Sequence, residues 1–261
     1  MQSVVPTKLT VGEFAQQIRG QMVPLGSRFS YFSTGVPIGE DDVKEYLEDP
    51  MRALPAGIRG ILPETAIILI PFLEQGEPSK DAETPAEALI CFEEPEKDRR
   101  LGSARTTTAE GAVLVFALRD QDVAEYHYRL YHCLAGLVAD IAGNEMPDEF
   151  NGILRDELSS GVHGEVDEES WELKRDLIRR QRNLRRKTKG FEKYARQSLI
   201  DTLTLYMHGI CCDIDVETGP RQLASRHLRR RLEFFQSLYP APEGFAVFPE
   251  DLNHSDERPA K

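Results

Sequence analysis

The nine residues from Thr65 to Leu73 constrain the fold of this chain more than any other segment. Their sequence, TAIILIPFL, is continuously apolar and rich in β-branched residues. A strand that is buried on both faces has this composition, because neither face meets water. The segment therefore predicts a central strand of a β-sheet.

Three further segments predict the rest of a small sheet. ALICFEE, RLGSARTTT and AVLVFALRD follow the polar linker 74–85 in that order. The turn signal AEG at 109–111 separates the last two, which are predicted to form a hairpin. Short connections favour antiparallel pairing, because parallel strands need longer crossovers. The prediction is a mainly antiparallel sheet of about four strands within residues 65–120.

Helical periodicity precedes and follows this sheet. Thr10 and Glu13 have the spacing of a capping box at the start of a predicted helix over 11–22. From Val123 to Ile141, apolar residues recur at three- and four-residue steps, which predicts a central buried helix. The later predicted helices span 147–158, 171–186, 191–209 and 223–239. The predicted fold class is α+β and helix-rich, with the sheet packed against a C-terminal helical half.

The length of 261 residues permits one large domain or two small ones. The predicted sheet is too thin to bury both faces alone, which favours a single folded unit over residues 1–252. Within it, residues 1–120 hold a helical arm and the sheet, and residues 121–252 are helical. Residues 253–261 are polar and predict a flexible tail.

The composition of the chain limits the cellular compartment and the class of binding partner that we expect for this protein. The net charge of -12 argues against a general binder of nucleic acid or anionic membranes. No apolar run reaches the roughly 18 to 20 residues that a membrane helix needs, and the first residues lack the pattern of a signal peptide. Four irregularly spaced cysteines do not form a secreted disulfide framework. We expect a cytoplasmic protein with reduced thiols and no membrane partner.

Positive charge is concentrated in one segment of this acidic protein. Between Lys174 and Arg196, eleven bases stand against two acids. A second basic cluster lies at 221–231. These bases either neutralise the protein's own carboxylates or bind a partner, which would be an acidic protein surface or the phosphates of a nucleic acid. The candidate partner-binding residues are Arg179, Arg180, Arg182, Arg185, Arg186, Lys187, Lys189, Arg229 and Arg230.

Potential metal ligands are dense in the segment YMHGICCDID at 206–215. They are His208, Cys211, Cys212, Asp213 and Asp215. If the helix continues through Cys212, then Asp201, His208 and Cys212 lie on one face. Imidazole and thiolate together suit zinc. In the alternative interpretation, the cysteines act as small hydrophobes and the histidine is an ordinary core residue.

Two other histidines complete the candidate metal set. His132 lies in the central helix, but Cys133 and Gly136 occupy the positions that glutamate and the second histidine take in a His-Glu-x-x-His motif. His163 is followed by Glu165 and by acids at 167–169, an arrangement that suits general acid–base catalysis or metal binding. The same acids also suit the start of a helix beside an exposed loop.

The sequence leaves three functional hypotheses. Glycine-rich phosphate loops and the nucleophile elbow of hydrolases are absent from it. The leading hypothesis is a non-catalytic regulatory or interaction protein that presents the basic helix 174–196 to an acidic partner. The first alternative is a zinc- or iron-dependent hydrolase that uses histidine, cysteine and aspartate of the helical half. The second is nucleic-acid binding through the same basic helix.

Overall fold

The computed structural model describes most of the chain and divides it into two compact units. The described residues are 8–77, 86–119, 121–143, 147–180, 186, 188–212 and 223–254. One unit, the sheet unit, comprises Met1–Glu48 and Pro63–Cys133, and the other, the helical unit, comprises Asp49–Leu62 and Leu134–Lys261. The single folded unit expected over 1–252 stays a prediction.

Among the described residues, eight strands form two sheets in the sheet unit, and six of these strands lie within residues 65–120, where about four were predicted. They are β1 (Val23–Pro24), β2 (Phe29–Ser33), β3 (Thr65–Ile70), β4 (Phe72–Gln75), β5 (Ala88–Cys91), β6 (Arg100–Leu101), β7 (Ser103–Thr108) and β8 (Gly111–Ala117). The larger sheet has the order β1-β2-β3-β8-β7, and the smaller has the order β5-β4-β6. Most strand pairs are antiparallel, and the predicted α+β class is confirmed.

The segment TAIILI forms the central strand of the larger sheet. β3 lies between β2 and β8, and its residues 67–70 are fully buried, as the sequence predicts. Both neighbours run parallel to it. The expected antiparallel pairing fails at this strand because residues 34–64 connect β2 to β3 and residues 71–110 connect β3 to β8, which is enough chain for two crossovers.

Two local predictions at the edges of the sheet unit are confirmed. The helix α1 (Val11–Ile18) begins with a complete capping box between Thr10 and Glu13. Its buried Phe14 and Ile18 belong to the same core cluster as residues of β3 and β8. β7 and β8 form the hairpin, and a Cβ at Gly111 would lie only 2.0 Å from the backbone oxygen of Glu64. Only glycine fits there.

Nine further α-helices lie among the described residues. They are α2 (Glu40–Val43), α3 (Asp49–Ala53), α4 (Ala56–Ile61), α5 (Val123–Ala142), α6 (Asp148–Ser159), α7 (Glu168–Arg180), α8 (Lys189–Cys212), α9 (Ser225–Leu238) and α10 (Pro249–His254). In the helical unit, α8 is buried along most of its length and contacts α3, α6, α7 and α9. Among the described residues, no helix combines the length and apolar character needed to cross a membrane. Residues 255–261 of the predicted tail lie outside the described residues.

Candidate functional site

The two faces of α7 have different environments. Ser170, Lys174 and Leu177 are buried on the inner face. On the outer face, Ile178 is 48% exposed and Trp171 is half-buried. This outer face borders an open cavity of about 860 Å³, which we call the α7 groove. Its lining residues are His163, Glu169, Trp171, Glu172, Leu173, Arg175, Asp176, Ile178 and Arg179.

The bases of segment 174–196 differ in how far the protein's own acids neutralise them. Arg179 and Arg180 both pair with Asp176, at 2.7 and 3.2 Å. Arg175 is exposed and makes no ion pair within the described residues. Arg186 and Lys189 are also exposed. The candidates Arg182, Arg185 and Lys187 lie outside the described residues.

The second basic cluster is paired with acids of the helical unit. Arg229 pairs with Glu233 at 3.2 Å and also with Glu250. Its guanidinium carbon lies 4.2 Å from the centre of the Phe248 ring. Arg230 pairs with Asp156 at 3.1 Å. For these two residues, the structure supports neutralisation by the protein's own carboxylates.

Two residues that the sequence analysis counted among the bases of a surface are fully buried. The side chains of Lys174 and Arg231 have no exposed area. Arg231 Nε lies 3.1 Å from both carboxylate oxygens of Glu157, and its Nη1 lies 2.7 Å from Oε2 of Glu165. Lys174 Nζ donates to Glu165 Oε1 at 3.1 Å and to the backbone oxygen of Gly164 at 2.8 Å. A buried charge is costly without a partner of opposite sign, so both cations are paired. The helical periodicity of the sequence alone did not indicate that these side chains are buried.

This buried network joins four helices of the helical unit. Glu157 belongs to α6, Lys174 to α7 and Arg231 to α9, while Glu165 lies in the α6–α7 loop. From α8, the Tyr194 hydroxyl donates to Glu165, and the Ser198 hydroxyl accepts from Arg231 Nη1 at 2.8 Å. Two carboxylates balance two cations, so the network carries no net charge.

The charge of Glu165 depends on its neighbours. Burial alone raises the pKa of Glu165, but Arg231 and Lys174 outweigh it and hold that pKa at about 2. Ionised Glu165 therefore stabilises the folded chain fully above pH 4.5, its ordinary value. That contribution is lost as the pH falls towards 2. Within the cluster, Glu165 acts as a structural anion rather than as an acid that exchanges protons near neutrality.

Asp201 on α8 is a second buried carboxyl group and has the opposite behaviour. It is 1% exposed, and Gln197 Nε2 donates to its Oδ1 at 2.8 Å. Burial raises the pKa of Asp201 from 3.8 to about 7, although hydrogen bonds from Ser170 and Gln197 oppose the shift. The nearby acids Asp167 and Glu169 raise it further. The folded state therefore disfavours the ionised form.

Replacing Asp201 with asparagine is expected to stabilise the protein at pH 8 by roughly 2 kcal/mol. Because the folded state favours neutral Asp201, its contribution to the free energy of unfolding is fully present below pH 3.8 and is lost as the pH rises through about 7. Asparagine stays neutral and removes this loss. Urea unfolding at pH 4 and pH 8 measures the effect, which should be close to zero at pH 4. An equal effect at both pH values would contradict the ionisation argument.

The candidate metal ligands of the helical unit lie mainly on α8. This helix continues without a break through Gly209 to Cys212, so the condition for a shared face is met. Asp201 and His208 are nevertheless about 10 Å apart along the helix axis. A hydrogen bond with Cys211, followed by burial, raises the pKa of Cys212, so its thiol is protonated in the metal-free protein. Zinc binding here stays a prediction, and 213–215 lies outside the described residues.

The other two histidines occupy different surroundings. His132 is half-buried on α5 in the sheet unit, where its ring stacks on Tyr128 with a centroid distance of 6.3 Å. His163 is exposed in the loop after α6 and borders the α7 groove. It does not belong to the buried network, although Glu165 is only two residues away. Their roles in a metal site are untested predictions.

Glu157 was not predicted as a member of the network, although the sequence contains a signal for it. Glu157 occupies a position in the apolar stripe of α6, in phase with the buried Phe150, Ile153 and Leu154. Arg231 likewise lies among the buried apolar residues of α9. A charged residue within an apolar stripe predicts a buried ion pair, because an unpaired buried charge is too costly.

Known proteins give no direct guide to this arrangement. No protein family, curated protein or solved structure matches the chain. Function must therefore be inferred from the α7 groove, the exposed bases and the buried network that holds α7 in place.

Proposed function

We propose that this chain is a non-catalytic interaction protein that binds an acidic protein surface through segment 174–196 and the α7 groove. The single observation that carries the proposal is the set of bases on this segment that remain exposed. Among the described residues they are Arg175, Arg179, Arg180, Arg186, Lys189 and Lys193. Within the segment these six bases face two acids, Asp176 and Glu192. Glu169 and Glu172 also line the α7 groove, so the excess of exposed positive charge lies in the part of the segment after Asp176.

The α7 groove supplies an apolar contact beside these charges. Trp171 and the exposed Ile178 line it together with Arg175. Tryptophan and arginine are the residue types that most often contribute strongly to binding at protein interfaces. Because the inner face of α7 is fixed by the pair between Lys174 and Glu165, little ordering is required when a partner binds. This combination favours a protein partner with both acidic and apolar side chains.

The shifted pKa values of the buried network do not indicate a catalytic site. Glu165 and Arg231 have strongly shifted pKa values, but their side chains are sealed from solvent and paired with each other. Structural ion pairs shift pKa values in the same way that catalytic sites do. The proposed compartment is the cytoplasm, where the four cysteines, all free thiols, would stay reduced.

Reversal of four exposed bases is expected to weaken binding of an acidic peptide by about tenfold or more. The variant carries Arg175→Glu, Arg179→Glu, Lys189→Glu and Lys193→Glu. The probe is a fluorescent glutamate-rich peptide that contains leucine residues, and its anisotropy gives the dissociation constant. The affinity of the wild-type protein should fall with added salt, since the attraction is between exposed charges.

A control variant separates a local surface from the effect of overall charge. Arg19, Lys44, Arg52 and Lys97 are exposed bases elsewhere in the chain, and their replacement by glutamate changes the net charge equally. This control should bind the peptide nearly as well as the wild type does, apart from a long-range effect of charge. Equal losses in both variants would contradict a dedicated surface. Displacement of the peptide by a stoichiometric oligonucleotide would favour the nucleic-acid alternative instead.

A further inference from the structure

A second cavity lies in the sheet unit, beside strand β5. Its volume is about 340 Å³, which is within the range of small-molecule sites. Most of its wall is apolar and comes from Leu9, Phe14, Ile90, Phe92 and Pro95. Lys8, Cys91, Glu93 and Glu94 supply the polar groups. We call this cavity the β5 pocket.

Backbone pairing fixes one wall of the β5 pocket. The amide of Ile90 donates to the backbone oxygen of Leu9 at 2.9 Å, and Thr10 forms an isolated bridge with Leu89. The first turn of α1 follows directly, and the Phe14 ring packs edge-on against Phe32 of β2 with a centroid distance of 6.3 Å. The pocket is therefore formed by regular structure on two sides.

Two polar groups that line the β5 pocket, Lys8 and Cys91, are already paired with Glu74. The buried carboxylate of Glu74 accepts from Lys8 Nζ and from the Cys91 thiol at 3.3 Å, and it forms an ion pair with Arg99 Nη1 at 3.1 Å. Burial, followed by the hydrogen bond to Glu74, raises the pKa of Cys91 to about 11. The thiol is therefore neutral and unsuited to nucleophilic attack at physiological pH.

One carboxylate that lines the β5 pocket remains available. Glu94 pairs with Arg100, but Glu93 makes no hydrogen bond or ion pair within the described residues. The adjacent Phe92 also lines the pocket and is 55% exposed. An aromatic face next to a free carboxylate attracts organic cations, through the ring quadrupole and through opposite charge.

We propose that the β5 pocket binds a small organic amine with an apolar body. The body lies against Leu9, Phe14 and Ile90, and the ammonium group contacts the Phe92 ring and the Glu93 carboxylate. Lys8 does not reverse this preference, because Glu74 already holds its amine. This site is in the sheet unit and is independent of the function proposed for segment 174–196, so either proposal can fail alone.

The test compares 2-phenylethylamine with 3-phenylpropionate, which carry a similar apolar body and opposite charges. Calorimetric or NMR titration of the full chain should show saturable binding of the amine that is at least about fivefold tighter than binding of the acid. Glu93→Gln and Phe92→Leu should each weaken amine binding by about fivefold. Both side chains are exposed, so these replacements should leave the fold unchanged.

Glu96→Gln provides the matched control, because Glu96 is exposed three residues further along and does not line the β5 pocket. It should bind the amine as the wild type does. Tighter binding of 3-phenylpropionate would overturn the proposal and would indicate that Lys8 captures an anion. Absence of saturable amine binding, or equal losses in Glu93→Gln and Glu96→Gln, would overturn it as well.

Discussion

Replacing Arg231 with alanine is expected to lower the free energy of unfolding by about 3 to 5 kcal/mol. The guanidinium group is fully buried and contacts both Glu157 and Glu165. Without it, two carboxylates remain in a low-dielectric interior, and Lys174 is the one cation of the network that is left. Removing one partner of a buried ion network costs far more than the intact network contributes, because a charge is left desolvated and unpaired.

The neighbouring Arg230 offers a matched control. Its side chain is half-exposed and forms a single surface pair with Asp156. Arg230→Ala should therefore cost less than about 1 kcal/mol. Urea unfolding monitored by Trp171 reports on both variants, since this is the only tryptophan of the chain and it lies on α7 in the helical unit. Similar costs for the two alanine variants would show that the burial of Arg231 has no energetic consequence.

The sequence predicted those parts of the fold that depend on local or continuous patterns. TAIILI is apolar at every position but the first, so its central, buried location followed from composition alone. The capping box of Thr10 and Glu13 depends on neighbouring residues, and Gly111 supplies a backbone conformation that few other residues adopt. By contrast, β1 spans only Val23–Pro24, which is too short to produce an alternating pattern. The parallel pairing of β3 depends on long connections whose path no local signal specifies.

The candidate site was predicted less well, because its chemistry depends on which charges are buried. In the sequence, Lys174 belongs to a run of bases that were expected to be exposed. Only its position on the inner face of α7 distinguishes it from Arg175. Its partner Glu165 lies nine residues earlier, in a loop without periodicity. Arg231 and Glu157 are far apart in the sequence, so their contact follows only from the packing of α6 against α9. The number of charges in the sequence therefore indicated where the basic segment lies, but it overestimated how many of its bases are exposed.

The buried network also explains how an exposed groove can be held in a fixed shape. Lys174 and Leu177 fasten the inner face of α7, so Trp171 and Ile178 on the other side have a defined position. If segment 174–196 binds a partner as proposed, loss of the network would loosen α7 and weaken that binding without altering any residue of the proposed surface. Binding assays of network variants must therefore be accompanied by stability measurements.

The variants Lys174→Met and Glu165→Gln test whether the network behaves as one unit. Each single replacement leaves an unbalanced charge in the interior and should cost about 3 kcal/mol. The double variant retains one anion, Glu157, and one cation, Arg231, so its charge is balanced again. Its cost should be smaller than the sum of the single costs by about 2 to 3 kcal/mol. The measurement is a double-mutant cycle of urea unfolding followed by Trp171 fluorescence.

The exposed pair of replacements Arg175→Met and Glu169→Gln provides the reference cycle, since both residues lie on the outer side of α7. Its coupling energy should be below about 0.5 kcal/mol. The Glu165→Gln variant should also lose the acid sensitivity that ionised Glu165 gives the wild type below pH 4.5. Additive costs in the Lys174 and Glu165 cycle would mean that the two side chains stabilise α7 independently. A large coupling energy in the Lys174 and Glu165 cycle, with a small one in the reference cycle, is expected only if each buried charge is stabilised by the other.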